Sequence, residues 1–112
     1  MSRGTRLRVG TAAELPPGTA RRLSAGDRWI AVFNAGGTVL AVDDRCPHEG
    51  GRLSLGSVEA GAIRCPVHGA CFDLRTGRTL EPPAGEPLTP ALEPGIRVYP
   101  VRVIGDELYV DL

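Results

Sequence analysis

Fifteen glycines and ten prolines cut these 112 residues into short segments, and no segment sustains an apolar repeat at helical spacing. A chain divided this finely builds strands and turns, so the pattern predicts an all-β protein with little helix. Leu7 and Val9 alternate with Arg6 and Arg8 as a first strand. Thr11 to Leu15 has room for one helical turn before Pro16-Pro17 stops it, and Thr19 to Ser24 is a second strand. After the turn Ala25-Gly26-Asp27, Trp29-Ile30-Ala31-Val32-Phe33 reads as a strand buried on both faces. Asn34-Ala35-Gly36-Gly37 then returns the chain as Thr38 to Val42. Further on, Leu53, Leu55 and Val58 form a small core, Ala62-Ile63-Arg64 and Ala70 to Leu74 are strands, and Thr76-Gly77-Arg78 is a turn. Ile96 to Ile104 and Glu107 to Leu112 make a hairpin through Gly105-Asp106, with Leu108, Val110 and Leu112 on one face. Pro100 has no N–H for a ladder and belongs at an edge or bulge.

The length fits one domain, with roughly two thirds of the unfolded surface buried on folding. The Pro-rich stretch Glu81 to Pro87 therefore wraps the surface in an ordered path and does not link two domains. All 13 basic residues are arginine and they balance 13 acidic residues, a net charge that argues against a nucleic-acid surface. Three cysteines do not make a disulfide framework, which suits a reducing compartment. Arg3, Arg6 and Arg8 are followed by no apolar signal segment, Arg21-Arg22 lacks the apolar run of a twin-arginine signal, and Trp29 to Phe33 is far too short to cross a bilayer. A cytoplasmic protein without membrane association is expected.

The chemistry is concentrated between residues 46 and 68. Cys46-Pro47-His48 is answered, after sixteen intervening residues, by Cys65-Pro66-Val67-His68, and these hold both histidines and two of the three cysteines. In Cys-x-His the two side chains leave the same side of an extended loop, so each loop presents a thiolate and an imidazole together. One zinc on these four ligands is one reading, although structural zinc pairs are more often spaced by two to four residues. Two adjoining irons suit the spacing better, with both cysteines on one and both histidines on the other.

Cys46-Pro47-His48-Glu49-Gly50-Gly51 and Cys65-Pro66-Val67-His68-Gly69-Ala70-Cys71-Phe72-Asp73 resemble the two cluster-binding boxes of Rieske [2Fe-2S] proteins, and of the small Rieske ferredoxins in particular. The resemblance covers nearly the whole chain and extends through Leu74-Arg75-Thr76-Gly77. It implies a single Rieske domain, 1–112, in which an antiparallel β-sandwich or barrel base (1–43 and 77–112) carries an inserted cluster-binding lobe (44–76). It also implies one [2Fe-2S] cluster held by Cys46, His48, Cys65 and His68. The expected function is one-electron transfer, without catalysis, from a flavin-dependent NAD(P)H ferredoxin reductase to a terminal Rieske oxygenase acting on aromatic or related substrates. A small subunit of a nitrite-reductase-type complex and a zinc-binding interaction module are the alternatives. A catalytic oxygenase is excluded, because no 2-His-1-carboxylate set remains once both histidines are used.

Among the other residues near the boxes, Asp43, Asp44 and Glu49 read as solvated or ion-paired carboxylates in preference to acid–base groups, and Asp73 as structural at a strand end. Glu49 at the rim is a candidate for steering a basic partner. Cys71, ahead of Phe72 in an apolar strand, reads as a small buried side chain. High-potential Rieske proteins of respiratory complexes add, by the family pattern, a disulfide at the positions of Gly51 and Val67, a Ser at Ala70 and a Tyr at Phe72. Their absence here implies a potential toward the low end of the Rieske span.

Overall fold

The computed structural model describes residues 5–47, 50–90 and 95–112. Among them are eleven strands and two single-turn 3-10 helices. The strands fall into three antiparallel sheets. The first pairs β1 (Arg6–Thr11) with β11 (Glu107–Asp111) and β11 with β10 (Val101–Ile104). The second runs β2 (Ala20–Ala25), β3 (Arg28–Ala35), β4 (Thr38–Asp43), β9 (Val98–Tyr99). The third runs β5 (Ser57–Glu59), β6 (Ala62–Arg64), β7 (Cys71–Asp73), β8 (Thr79–Glu81), so its last strand lies beyond residue 76.

The second sheet is the middle layer. Successive side chains of a strand point to opposite faces, and β3 and β4 are apolar at both. Ile30, Val32 and Ala41 share a buried cluster with Val9, Leu108 and Val110 of the first sheet. Ala31, Phe33 and Val42 share another with Leu53, Ile63, Phe72 and Leu74 of the segment that carries the two Cys-Pro boxes. The expectation of a strand buried on both faces holds from Ile30 to Phe33, where exposure is no more than 1 %, but not at Trp29. Trp29 opens the strand at 46 % exposure, its ring under the Arg22 guanidinium at 3.8 Å.

Gly36-Gly37, with φ of 63° and 100°, closes the two-residue turn between β3 and β4, a left-handed path that glycine follows without a Cβ penalty. Pro100 sits where the chain leaves the second sheet at Tyr99 and joins the first at Val101; it gives the ladder no N–H, and its carbonyl accepts from Asp111 N at 2.9 Å. The expected helical turn is the 3-10 turn Ala12–Glu14. The other 3-10 turn, Leu53–Leu55, divides the small core predicted there. Leu53 is fully buried, but Leu55 is 64 % exposed, because at three residues per turn residues two apart leave different sides of the turn.

Candidate metal centre

The first loop leaves β4 at Asp43 and is closed by backbone pairing across its base. Arg45 and Arg52 face each other in an isolated β-bridge, Cys46 N donates to Gly51 O at 2.8 Å, and Gly50 N donates to Cys46 O at 2.8 Å. Asp44 fixes both feet. Its buried carboxylate accepts from Arg22 Nε at 2.6 Å, from Ser54 N at 2.6 Å and from Ser54 Oγ at 2.9 Å, while its backbone O accepts from Leu53 N. Asp43 accepts the Tyr99 hydroxyl at 2.5 Å. Asp44 is thus ion-paired, as the sequence suggested, whereas Asp43, expected to be solvated or ion-paired, is bound to a tyrosine hydroxyl.

The second loop reverses between β6 and β7, where Cys65 N donates to Ala70 O at 2.7 Å. His68 and Gly69 take consecutive left-handed conformations, φ 61° and 77°, which swings the His68 side chain into an exposed position. Such a conformation is uncommon for a residue with a Cβ and is held here from two sides. Ala84 N, in the Pro-rich stretch, donates to His68 O at 2.6 Å, and Arg64 Nη1 donates to Gly69 O at 2.8 Å while pairing with Glu81. The hydrogen bond to Glu81, ahead of charge interactions with Cys71 and Glu81, holds the Arg64 guanidinium above its usual range. Asp73 accepts N–H bonds from Arg75 and Thr76 and ends its strand in the manner expected.

The two loops converge. Cys46 and Cys65 are both buried, at 0 % and 1 %, in one apolar cluster. A Cβ placed on Gly51 would stand 3.0 Å from Cys65 Sγ and 2.9 Å from Val67 Cγ2, so the first loop passes close over the second thiol and a side chain there would need Val67 to shift. Cys71 is buried at 4 % on β7, and burial pushes its thiol up, which disfavours the thiolate that a metal requires. His48 and Glu49 lie outside the described residues. Sequence reasoning missed Arg64 and Ala84, whose roles run through backbone carbonyls and leave no side-chain pattern; Ser54, ten residues after Asp44, was equally silent.

Two buried cysteines on converging hairpin loops, with an exposed histidine beside the second, on an antiparallel β scaffold, suit a thiolate-bound metal centre, iron–sulfur or zinc, in preference to a hydrolytic or nucleophilic site. The family profile described as "Rieske [2Fe-2S] domain" matches residues 5–100. The chain is 39% identical over 108 residues to the 3-phenylpropionate/cinnamic acid dioxygenase ferredoxin subunit of Escherichia coli (strain K12), covering 96% of this chain and 93% of that one. It is similar to the ferredoxin of carbazole 1,9a-dioxygenase from Nocardioides aromaticivorans IC177 (31% identity, TM-score 0.79, 95% and 96% of the two chains). It also matches a chain in a complex of reduced oxygenase and oxidized ferredoxin in carbazole 1,9a-dioxygenase (33% identity, TM-score 0.79, 94% and 91%). The chain belongs to the Rieske [2Fe-2S] domain family. Within it, the chain is of the ferredoxin kind, an electron-transfer protein. The thiol pair and the cradle at Gly51 fit such a cluster.

Proposed function

We propose that Cys46 and Cys65 hold one iron of the Rieske cluster and His48 and His68 the other. On this reading the chain carries single electrons in the cytoplasm from a flavin-dependent NAD(P)H reductase to a terminal Rieske oxygenase acting on an aromatic or related substrate. The carrying observation is the asymmetry of the second loop, which buries Cys65 and exposes His68 three residues later. A thiolate pair kept from solvent and an imidazole held at the surface suit a carrier that exchanges electrons through its histidine edge. When bound, the cluster supplies a one-electron couple. Around it, Gly51 admits the Cys65 sulfur, Ala84 and Arg64 hold the His68-Gly69 backbone, and Asp44 anchors the first loop. The dioxygenase ferredoxins among its relatives, and the complex of an oxygenase with a ferredoxin, support the oxygenase as partner. The reductase follows from the need of such a carrier for a source of single electrons.

Metal and sulfide analysis tests the ligand set: the purified protein should carry the irons and labile sulfides of one [2Fe-2S] centre per chain. Cys71→Ala should leave the visible spectrum unchanged, whereas Cys65→Ala should abolish it. One zinc per chain with no visible absorption would overturn the reading.

A further inference from the structure

Beside the first loop the surface opens into a cleft of about 310 Å³, bordered by Gly50 and Gly51 and by the side chains of Arg22, Arg28, Arg45 and Arg52. Arg45 and Arg52 stand directly opposite each other across the bridge that closes the loop. Like charges in that relation destabilise a strand pair. Among the described residues, acids offset this charge in part but leave Arg45 without one. Asp44 is buried and committed to Arg22 and Ser54, with Arg52 Nε at 3.7 Å, and Asp43 is bound to the Tyr99 hydroxyl; only Asp27 adds a third carboxylate to the lining. Among the described residues, the Arg45 side chain makes no hydrogen bond or ion pair. The half-exposed indole of Trp29 rims the same cleft.

We propose that this cleft docks acidic side chains of a redox partner protein, an inference that rests on the reading of the chain as an electron carrier. Arg22 and Arg52 both turn to the buried Asp44 carboxylate, at 2.6 and 3.7 Å, so the position open to an outside carboxylate is the exposed Arg45, which has no acid partner among the described residues. The exposed Arg45 and Arg52 beside the half-exposed Trp29 ring, on which Arg22 already stacks, have the composition of a protein contact. The position also fits, since a partner seated there abuts the loop that carries Cys46. With a net charge of zero, steering of a partner depends on how charge is distributed over the surface, as in a local patch of this kind.

The test is stopped-flow reduction of the cluster-loaded protein by the hydroquinone of flavodoxin, an acidic one-electron donor, across a range of salt. Iron content and visible spectrum are measured first on every sample. The wild-type rate constant should fall as salt rises. Arg45→Glu with Arg52→Glu should lose about tenfold or more at low salt, with the salt dependence flattened or reversed. Arg75→Glu with Arg78→Glu, an equal charge change around the turn beyond β7, should stay within about twofold of wild type. Arg45→Gln alone, which leaves the bridge and Arg52 in place, should show a smaller loss in the same direction and serves if the double variant fails to load. A loaded double variant, or Arg45→Gln, that matches wild type at every salt concentration overturns the docking surface and leaves the carrier reading intact. Saturable blocking of the wild-type reaction by inorganic phosphate at constant ionic strength also overturns it, by making the cleft a small-anion site. Wild-type protein that holds no iron removes the carrier reading, and the docking proposal with it.

Discussion

At the scale of single residues, two side chains without a hydroxyl, Ala70 and Phe72, bear on the potential expected of the centre. Ala70 and Phe72 are fully buried beside the second loop, at the positions where respiratory Rieske proteins are expected to place a Ser and a Tyr. Without those donors the reduced, more negative state is less stabilised, and the midpoint should lie near the low end of the Rieske span, about −150 mV and not about +300 mV. Ala70→Ser with Phe72→Tyr should raise it in voltammetry; an unchanged midpoint in a variant of intact spectrum would show that the missing donors are not the cause. Tyr99 is the second residue whose surroundings have a measurable consequence. Burial first, and then the Asp43 carboxylate that accepts its hydrogen bond, push its phenol from 10.0 up to about 12. A proton held more tightly in the folded state gives stability that is complete below pH 10 and lost as pH climbs through about 12. The difference amounts to about 2–3 kcal/mol. Thermal midpoints measured on either side of pH 10 should fall more steeply for wild type than for Tyr99→Phe, and parallel curves would contradict this. Cys65 and His68 were legible as candidates from the sequence alone, because both residue types are scarce and their spacing is unusual. Arg64, Ser54 and Ala84 were not, since each acts on groups brought near only by the fold.

At the scale of elements, alternation and turn residues located most of the strands, and the misses come from places where a short turn decides direction. Leu55 looks like core in a Leu-x-Leu pattern, but that pattern buries both leucines only on a strand, and here it lies in a 3-10 turn. β8 was unreadable because Thr79-Leu80-Glu81 is short and followed by prolines; its pairing with β7 comes from the turn at Gly77, φ 80°, which brings it alongside. That turn also makes the tightest crossing of the chain among the described glycines. Ile96 N donates to Gly77 O at 2.8 Å, and a Cβ on Gly95 would sit 1.4 Å from the same oxygen, with no flexible side chain to yield. Gly95→Ala should therefore cost about 4 kcal/mol or more, at the severe end for one substitution. Gly85→Ala, where φ is 84° but nothing lies within 4 Å, should cost only the left-handed strain of about 1–2 kcal/mol. Urea unfolding of the two variants compares them directly; similar losses would mean that the crossing can relax.

At the scale of the whole molecule, the question is how far the cluster supports the fold. Small metal-binding lobes commonly depend on their metal for folding, because the site does not exist in the unfolded chain. Here the dependence should be narrower. The second sheet is apolar on both faces, and its Ala31, Phe33 and Val42 share a cluster with Ile63, Phe72 and Leu74, so the third sheet is held to the rest by a shared apolar core. Burying each large side chain of that core is worth about 1.5–3 kcal/mol, which is independent of iron. The loops are anchored in that core only at Cys46, Cys65 and Ala70; among the described residues their turns are closed by backbone bonds, by the Arg64 and Ala84 contacts to the second loop, and by whatever bridges the two thiols. Chelation of the iron should therefore speed amide hydrogen exchange at 44–52 and 65–70, while Ile30 and Val32 of β3 and Phe72 of β7 keep most of their protection. Equal loss of protection at Phe72 would show that the cluster, and not the shared apolar core, holds the third sheet in place. Loss at Ile30 as well would extend that dependence to the entire chain.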